Sequence, residues 1–288
     1  MGNKAIVGVF LSGKKLVVGK VVDDNVVDSY HFKINNYEKE EVVIKEVINA
    51  IEGVIDKDVV GIGIGVPSLV DVKKGIVYKT LNIPSWREVH LKELLEDKFK
   101  VQVYVNNDAN CFAIGEKYFG KAKDCENIVG IIVGAGIGAG IIFNGHLYSG
   151  SNCGAGEIGS IPYRDHDFEY YLSDGYFEEK YGIKVDMLFE RAKLKDKIAL
   201  AIFEQYGFDL GNLIKTIMFA YDPDCIMLGG NISKAFAYFK KTMMKKVRTF
   251  IYKHSLKRIL IDVSDNPDIV VLGAAALYLD AHNKTLIK

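Results

Sequence analysis

A strand–turn–strand pattern occurs twice in this chain, and it restricts the fold more strongly than any other feature. Residues 5–22 contain two apolar runs around a turn at 12–15, and residues 128–143 contain two apolar runs around a glycine-rich turn. Both copies include the letters IVG near their start. Runs of β-branched residues on either side of such turns predict hairpins. We therefore expect two lobes of similar plan, which suits 288 residues at about 100–200 residues per domain.

The remaining periodicity predicts an α/β order of elements in both halves. In the first half we expect strands at 5–22 and 26–34, a helix at 38–55, strands at 59–71 and 75–78, a helix at 91–98, and a strand from 101 to the corner at 108. In the second half we expect strands within 128–148, helices near 186–204 and 207–220, a strand at 225–228, a helix at 233–249, a strand at 258–263, and a helix from 273. Residues 160–182 are polar and aromatic without a clear period.

The charge balance excludes several classes of partner. Lys and Arg total 37, and Asp and Glu also total 37. A balanced chain offers no broad electrostatic attraction for nucleic acid or for an anionic membrane, so we expect a small-molecule ligand. The four cysteines show no CxxC spacing, and the apolar runs are too short for a secretion signal or a membrane span. These features predict a cytoplasmic protein with free thiols.

A carboxylate stands at the corner where the strand from 101 gives way to a helix. Asp108 opens this helical segment, and the N–H groups and dipole of a helix N-terminus favour negative charge. We therefore expect Asp108 to stay ionised and to be able to accept a proton from a substrate hydroxyl. Asn107 beside it can donate and accept hydrogen bonds to a polyol. The alternative is that Asp108 merely caps the helix.

Two glycine-rich turns in the second half can approach a nucleotide. The stretch GAGIGAG at 134–140 lies inside a hairpin, which is the wrong context for a dinucleotide fingerprint, and a Walker Lys-Ser/Thr is lacking. A glycine hairpin can still bring backbone N–H groups close to a phosphate. Gly229-Gly230, between a strand and a helix, can admit a ring or a phosphate tail. The alternative is that these glycines serve only tight turns and close packing.

Several segments together resemble the ROK family of sugar kinases, within the hexokinase and actin-like ATPase superfamily. The matching segments, with the family pattern after each, are LNIPSW at 81–86 (pNlpgW), VNNDANCFAIGE at 105–116 (ENDanaaalgE), GAGIGAGII at 134–142 (GTGiGgGii), CGAGEIGS at 153–160 (gxAGEiGH) and IMLGGNIS at 226–233 (IvlGGgvs). They occur in the family's order and cover the chain nearly end to end. The resemblance implies an α/β fold of two ribonuclease H-like lobes with a cleft between them. The smaller lobe would comprise residues 1–115 and a C-terminal helix 274–288, and the larger lobe residues 116–273.

The resemblance also implies an activity and a set of site residues. The activity would be ATP-dependent phosphorylation of an alcohol group on a hexose or N-acetylhexosamine, with ATP and Mg²⁺ and without nucleic acid or membrane. Asp108 would be the general base. The residues that it assigns to the sugar are Asn82, Asn107, Asp108, Glu157 and Glu178. The residues that it assigns to the nucleotide are Ser12, Gly13, Lys14, Gly134, Ala135, Gly136, Gly138, Gly229 and Gly230. Family members are commonly dimers through the larger lobe, so a homodimer is expected.

This sequence departs from the family pattern on the phosphate side. The family opens with DIGGTK, whose Asp helps to hold hydrated magnesium, and Phe10 stands at that position here. Ala135 replaces a Thr that contacts the transferring phosphate. The family's structural zinc ligands are also replaced, by Ser160, Glu169, Tyr171 and Tyr176. Because zinc in such sites prefers thiolate and imidazole ligands, we expect no structural zinc.

These departures leave alternatives to an ordinary kinase. One alternative is a sugar-binding relative with weak or absent catalysis, which senses or sequesters its ligand and has no DNA-binding domain. This alternative fits a chain that keeps the family's sugar-binding residues and has lost some of its phosphate-binding residues. Lys14 or Lys15 could compensate by contacting phosphate, although lysines in a hairpin turn are usually solvated. The family's repressors place a winged helix-turn-helix before the first lobe, whereas the first predicted strand of this chain starts at residue 5.

Overall fold

The computed structural model describes residues 4–80, 82–151 and 153–286. The chain forms two compact units, each assembled from separate segments. The first unit comprises Met1–Asp124, Gly140–Ala155 and Asp265–Lys288, and the second comprises Cys125–Ala139 and Gly156–Ser264. This division differs from the lobes drawn at 115/116 and 273/274 from the sequence, and those lobe boundaries stay a prediction.

Strands and helices are interspersed along the chain, as expected for an α/β protein. The elements up to residue 118 are β1 (Ala5–Ser12), β2 (Lys15–Val22), β3 (Asn25–Lys33), α1 (Glu40–Glu52), β4 (Val59–Val66), β5 (Leu69–Asp71), β6 (Ile76–Tyr78), β7 (Glu88–Val89), α2 (Leu91–Phe99), β8 (Gln102–Asn107) and α3 (Asp108–Tyr118). The later elements are β9 (Ile128–Val133), β10 (Ile137–Phe143), β11 (His146–Leu147), β12 (Pro162–Tyr163), β13 (His166–Asp167), α4 (Phe168–Leu172), α5 (Asp174–Tyr181), α6 (Val185–Lys193), α7 (Lys197–Tyr221), β14 (Cys225–Gly229), α8 (Phe236–Val247), α9 (Lys253–Arg258), β15 (Leu260–Val263) and α10 (Ile269–Leu286).

Two five-stranded sheets share one plan. The first has the order β3-β2-β1-β4-β8, in which β1 is antiparallel to β2 and parallel to β4. The second has the order β11-β10-β9-β14-β15, in which β14 is parallel to β9 and to β15. Smaller sheets are formed by β5-β6-β7 and by β12-β13. The repeated sheet order confirms the duplicated pattern and the α/β class predicted from the sequence.

Helix α10 fixes the position of α3 in the first unit through close backbone contacts. A Cβ atom at Gly63 of β4 would overlap the carbonyl oxygen of Ala274 in α10. A Cβ atom at Gly273 would overlap the carbonyl oxygen of Cys111 in α3. Glycine is therefore needed where α10 lies on the sheet and where it crosses α3. These contacts hold α3, and with it the corner at Asp108, against the first sheet.

The helix boundaries between 185 and 221 differ from the prediction. The predicted break between 204 and 207 is wrong, because α7 runs without interruption from Lys197 to Tyr221. The break lies instead before Asp196, whose side chain accepts a hydrogen bond from the backbone N–H of Ala199 at 2.8 Å and caps α7. Gly207 does not end a helix, since a Cβ atom there would overlap the carbonyl oxygen of Phe239 in α8. It allows two helices to pack closely.

Other differences are smaller and concern segments with a weak period. The final helix starts at Ile269 and not at 273. The aperiodic stretch 160–182 contains the hairpin β12–β13 and the short helices α4 and α5, which the sequence did not predict. Each unit has its own core, with Trp86 fully buried in the first and Phe203 and Phe239 fully buried in the second. Among the helices in the part of the chain that the structure describes, none is long and apolar enough to cross a membrane.

Candidate active site

The corner between β8 and α3 is fixed by Asn107. Its side-chain oxygen accepts a hydrogen bond from the backbone N–H of Ala109 at 2.8 Å, and its Nδ2 donates to the carbonyl oxygen of Ser68 at 3.2 Å. Asn107 is therefore the N-cap of α3, and Asp108 is the first residue of the helix. The helix cap that the sequence offered as an alternative role for Asp108 belongs mainly to its neighbour. Asp108 adds a second acceptor for the Ala109 N–H, at 2.9 Å.

A buried amide beneath this corner holds the backbone in place. The Oδ1 atom of Asn106 accepts from the backbone N–H of Asn107 at 2.8 Å and from Nδ2 of Asn110 at 2.9 Å. Both Asn106 and Asn110 are buried. A hydrogen-bonded buried amide network of this kind rigidifies its surroundings. Neither residue was predicted from the sequence, although two consecutive asparagines before an aspartate are an available signal.

The carboxyl group of Asp108 is a weaker acid than an ordinary aspartate. Burial raises the pKa of Asp108 to about 6, and the hydrogen bond from the Ala109 N–H opposes this rise. Desolvation therefore outweighs the backbone hydrogen bonds at the helix N-terminus, which act in the opposite direction. At pH 7 the carboxylate still outnumbers the acid by roughly ten to one, one pH unit above its pKa. A carboxylate with a pKa close to neutrality is suited to accept a proton from a hydroxyl.

The β1–β2 turn and Asn82 lie next to each other in the first unit. Gly13 has a φ of +54°, and a Cβ atom there would lie 3.0 Å from the Cβ of Asn82. The backbone carbonyl of Asn82 accepts a hydrogen bond from Nδ2 of Asn36 at 2.6 Å. Ser12 is half-buried, and Lys14 is exposed at the same turn. A predicted nucleotide residue and a predicted sugar residue are thus neighbours; Leu81, in the same motif as Asn82, lies outside the described residues.

The two glycine turns of the second unit converge. Gly230 has a φ of +91°, and a Cβ atom there would overlap the backbone of Val133 at the end of β9. The turn that begins at Gly134 follows directly, and Ala135 is exposed on it. Gly136 and Gly138 are half-buried, and Gly229 is buried as the last residue of β14. The structure therefore brings together the two glycine-rich segments of the second half, which are two of the three segments that the sequence assigned to a nucleotide.

Two predicted sugar-binding carboxylates belong to the second unit. Glu157 is exposed and directly precedes a short 3-10 helix, Ile158–Ser160. The loop before it lies on β10, because Gly156, with a φ of +102°, would place a Cβ atom against the carbonyl oxygen of Ala139. Glu178 is exposed on α5. Both carboxylates are accessible to a ligand.

An aromatic cluster fills the segment that resembles the family's zinc region. Tyr163 stacks on Phe168 with ring centroids 4.3 Å apart, and the Tyr171 hydroxyl donates to the Asp165 carboxylate. Asp209 of α7 is buried, accepts from the Tyr163 hydroxyl at 2.9 Å, and pairs with the Arg164 guanidinium. Among the described residues no group of three or more His, Cys, Asp or Glu side chains could hold a metal ion. The absence of structural zinc stays a prediction.

Comparison with known proteins gives consistent results. The family described as ROK matches residues 7–281. A glucokinase from Halalkalibacterium halodurans is 26% identical over 297 residues, covering 90% of this chain and 88% of that protein. A xylose repressor from Bacillus subtilis is 29% identical over 240 residues, covering 77% of this chain and 61% of the repressor. The crystal structure of a ROK family glucokinase from Streptomyces griseus, in complex with glucose and AMPPNP, has a TM-score of 0.80 at 23% identity and covers 95% of this chain and 98% of that one. At this identity the structural likeness shows the fold.

Proposed function

The chain belongs to the ROK family, and from this premise we propose that it transfers the γ-phosphoryl group of ATP to a hydroxyl of a hexose or N-acetylhexosamine. The observation that carries the proposal is Asp108, an aspartate at a rigid helix start whose pKa is raised to about 6. Phosphoryl transfer needs an aligned hydroxyl and a carboxylate to receive its proton, together with groups that offset the phosphate charge. Asp108 is suited to receive this proton.

The other site residues are divided between the sugar and the nucleotide. In this proposal Asn82, Asn107, Glu157 and Glu178 hold the remaining sugar hydroxyls, for which amides and carboxylates supply donors and acceptors. The phosphates approach the β1–β2 turn at Ser12, Gly13 and Lys14 and the turn at Gly134, Ala135, Gly136 and Gly138. The adenosine lies by Gly229 and Gly230. The convergence of the two glycine turns in the second unit supports this assignment, since a nucleotide needs close backbone approach at both its phosphates and its base.

Magnesium is expected to come with the nucleotide. Phe10 is half-buried on β1, and its apolar ring cannot coordinate a cation or accept from metal-bound water. Bound Mg²⁺ would offset charge on the β- and γ-phosphates. This chain would therefore leave most of the cation's contacts to the phosphates, which predicts a weakened phosphate site and slow turnover.

A sugar-binding protein with weak or absent catalysis is the second candidate. It is favoured by two observations, Phe10 where the family has a carboxylate and Ala135 where it has a hydroxyl. The family also contains relatives named as repressors, such as the xylose repressor above. Both candidates share the sugar site, and they differ in whether a bound sugar is phosphorylated.

Both candidates predict that a sugar stabilises the folded protein. A hexose or N-acetylhexosamine at 100 times its Kd should stabilise the fold by about 2.7 kcal/mol through mass action and raise its Tm. Calorimetry and melting curves over a panel of these sugars measure the effect, with a sugar alcohol of equal size as the control. If no sugar in the panel gives heat or a shift in Tm, both candidates are wrong.

Turnover should fall as the pH is lowered through about 6. The pKa of Asp108 is raised above its usual 3.8 to about 6, so the proton acceptor is lost as the pH drops below that value. The kcat/KM of the free enzyme should therefore fall about tenfold for each pH unit well below 6. A profile measured between pH 4.5 and 8, with circular dichroism to verify folding, tests this. Activity that stays constant to pH 4.5 would show that Asp108 is not the acceptor.

We also propose a cytoplasmic homodimer that associates through the second unit. Several apolar side chains there are more than half exposed, namely Met187 (60%), Ile198 (64%), Phe219 (55%) and Ile251 (64%). The proposal rests on the family resemblance, and contact with a second copy would cover those of these side chains that form one apolar patch. Light scattering that gives the mass of a single chain would contradict the dimer.

A further inference from the structure

The turn that begins at Gly134 forms hydrogen bonds at both of its ends with the segment 169–174. The Oε2 atom of Glu169 accepts a hydrogen bond from the backbone N–H of Ile137 at 2.8 Å. The same oxygen lies 2.8 Å from the place where a Cβ atom at Gly136 would be. At the other end of the segment, the backbone N–H of Asp174 donates to the carbonyl oxygen of Gly134 at 2.7 Å. The Glu169 carboxylate therefore lies directly on the turn.

A second carboxylate, that of Asp174, belongs to the residue bound to the Gly134 end of the turn. The Oδ2 atom of Asp174 accepts from Nδ2 of Asn231 at 2.8 Å. Its Oδ1 atom is buried and has no hydrogen-bond partner among the residues that the structure describes. Because a carboxylate can only accept, Asn231 must present its NH₂ group to Asp174. The Oδ1 atom of Asn231 then lies 2.6 Å from the position of a Cβ atom at Gly134.

Side-chain acceptors thus lie at both ends of a turn that is expected to receive phosphate. The Ile137 N–H is the kind of backbone donor by which a glycine turn binds an anion, and the Glu169 carboxylate already occupies it. The N–H of Gly134 is also occupied, by the carbonyl oxygen of Gly136 at 3.0 Å. Phosphate oxygens are acceptors with negative charge, so Glu169 and Asp174 repel them unless a cation lies nearby.

We propose that Glu169 is a built-in competitor of the nucleotide phosphates at this turn. Its carboxylate takes the Ile137 N–H when nucleotide is absent, and it must give up this donor or accept repulsion when nucleotide binds. Metal-free nucleotide suffers most, because Mg²⁺ offsets the phosphate charge that faces the two carboxylates. Glu169 would thereby set both the nucleotide affinity and the preference for the magnesium complex. This inference rests on the nucleotide site of the proposed function.

The Glu169→Gln variant tests the competition with little change in shape. Gln retains an oxygen that can accept from the Ile137 N–H, and it removes the charge. ATP should bind the variant about twofold to tenfold more tightly than it binds wild type, and the gain should be larger with EDTA than with Mg²⁺. Affinities are measured by calorimetry in the presence of a sugar that binds. The control is Glu204→Gln, which removes one charge from an exposed position on α7 and should leave both affinities unchanged.

Two results would overturn the competition. The first is a folded Glu169→Gln variant, with the wild-type Tm, that binds ATP no more tightly in EDTA. The second is an equal gain in affinity with and without Mg²⁺, since a merely structural role of Glu169 would not distinguish the two forms. If either result occurs while wild type phosphorylates a sugar, only this inference is wrong. If neither protein binds ATP in any form while both bind sugar, the kinase proposal fails together with it.

Discussion

The Asp108→Asn variant is expected to phosphorylate sugar about 10²–10⁴ times more slowly than wild type, the usual effect of losing a general base. The amide has nearly the same shape and can still accept from the Ala109 N–H, which Asp108 does at 2.9 Å. It cannot take a proton from the sugar hydroxyl. Sugar affinity should stay within about tenfold of wild type, because the loss concerns the transition state. Measurement of kcat, KM and sugar Kd on both proteins tests this separation.

Stability provides a check on the same variant. Burial raises the pKa of Asp108, so the ionised carboxylate costs folding free energy above pH 6, and the neutral amide should not lower the Tm at pH 8. Asp196→Asn makes the same chemical change at the start of α7 and should leave turnover unchanged. A well-folded Asp108→Asn protein with wild-type turnover would show that Asp108 only supports the helix start.

The Phe10→Asp, Ala135→Thr double variant is expected to raise kcat, by up to about 10²–10³-fold, the typical effect of one electrostatic partner of the reacting phosphate. The two changes restore the carboxylate and the hydroxyl of the family pattern. Phe10 is half-buried, whereas its neighbours Val9 and Leu11 are fully buried, so an aspartate at 10 keeps access to water. The cost of burying an unpaired charge should therefore be limited. Initial rates and melting curves are measured on the same preparations.

The matched control for this gain is Phe10→Asn with Ala135→Thr. It has the same shape as the double variant without the negative charge, so it should recover much less activity. A well-folded Asp variant that is no faster than wild type would show that the missing groups do not limit turnover. That outcome would favour the sugar-binding candidate, or a compensating group such as Lys14.

Local patterns were sufficient for the parts of the site that lie on hairpins and corners. The turns at 12–15 and 134–138 and the corner at 107–108 are each encoded by a few adjacent residues, so their local conformation could be predicted, whereas the roles of their side chains stay predictions. The predicted helix boundaries were wrong where one residue has two possible roles. Gly207 resembles a helix end in the sequence, and only the contact with Phe239 shows that it serves helix packing.

The contacts around the turn at 134–138 could not be predicted from such local patterns. Glu169 and Ile137 are 32 residues apart, and their hydrogen bond depends on where α4 lies relative to β10. The sequence showed that thiolates were missing at 169–176, but it gave no sign that a carboxylate from this segment reaches the turn. The cap formed by Asn107 was missed for a similar reason, since Asn and Asp are equally good caps, and the hydrogen bond that orients the Asn107 side chain is donated to Ser68, 39 residues away.

Direct detection of a sugar phosphate tests the central claim most directly. Wild-type protein is incubated with ATP, Mg²⁺ and each hexose and N-acetylhexosamine in turn, and products are identified by mass spectrometry while sugar binding is measured in parallel. We expect at least one sugar that binds to be converted to its monophosphate, with one ADP formed per product and with Asp108→Asn strongly impaired. Sugars that bind with measurable heat and yield no phosphate with wild type would contradict the kinase.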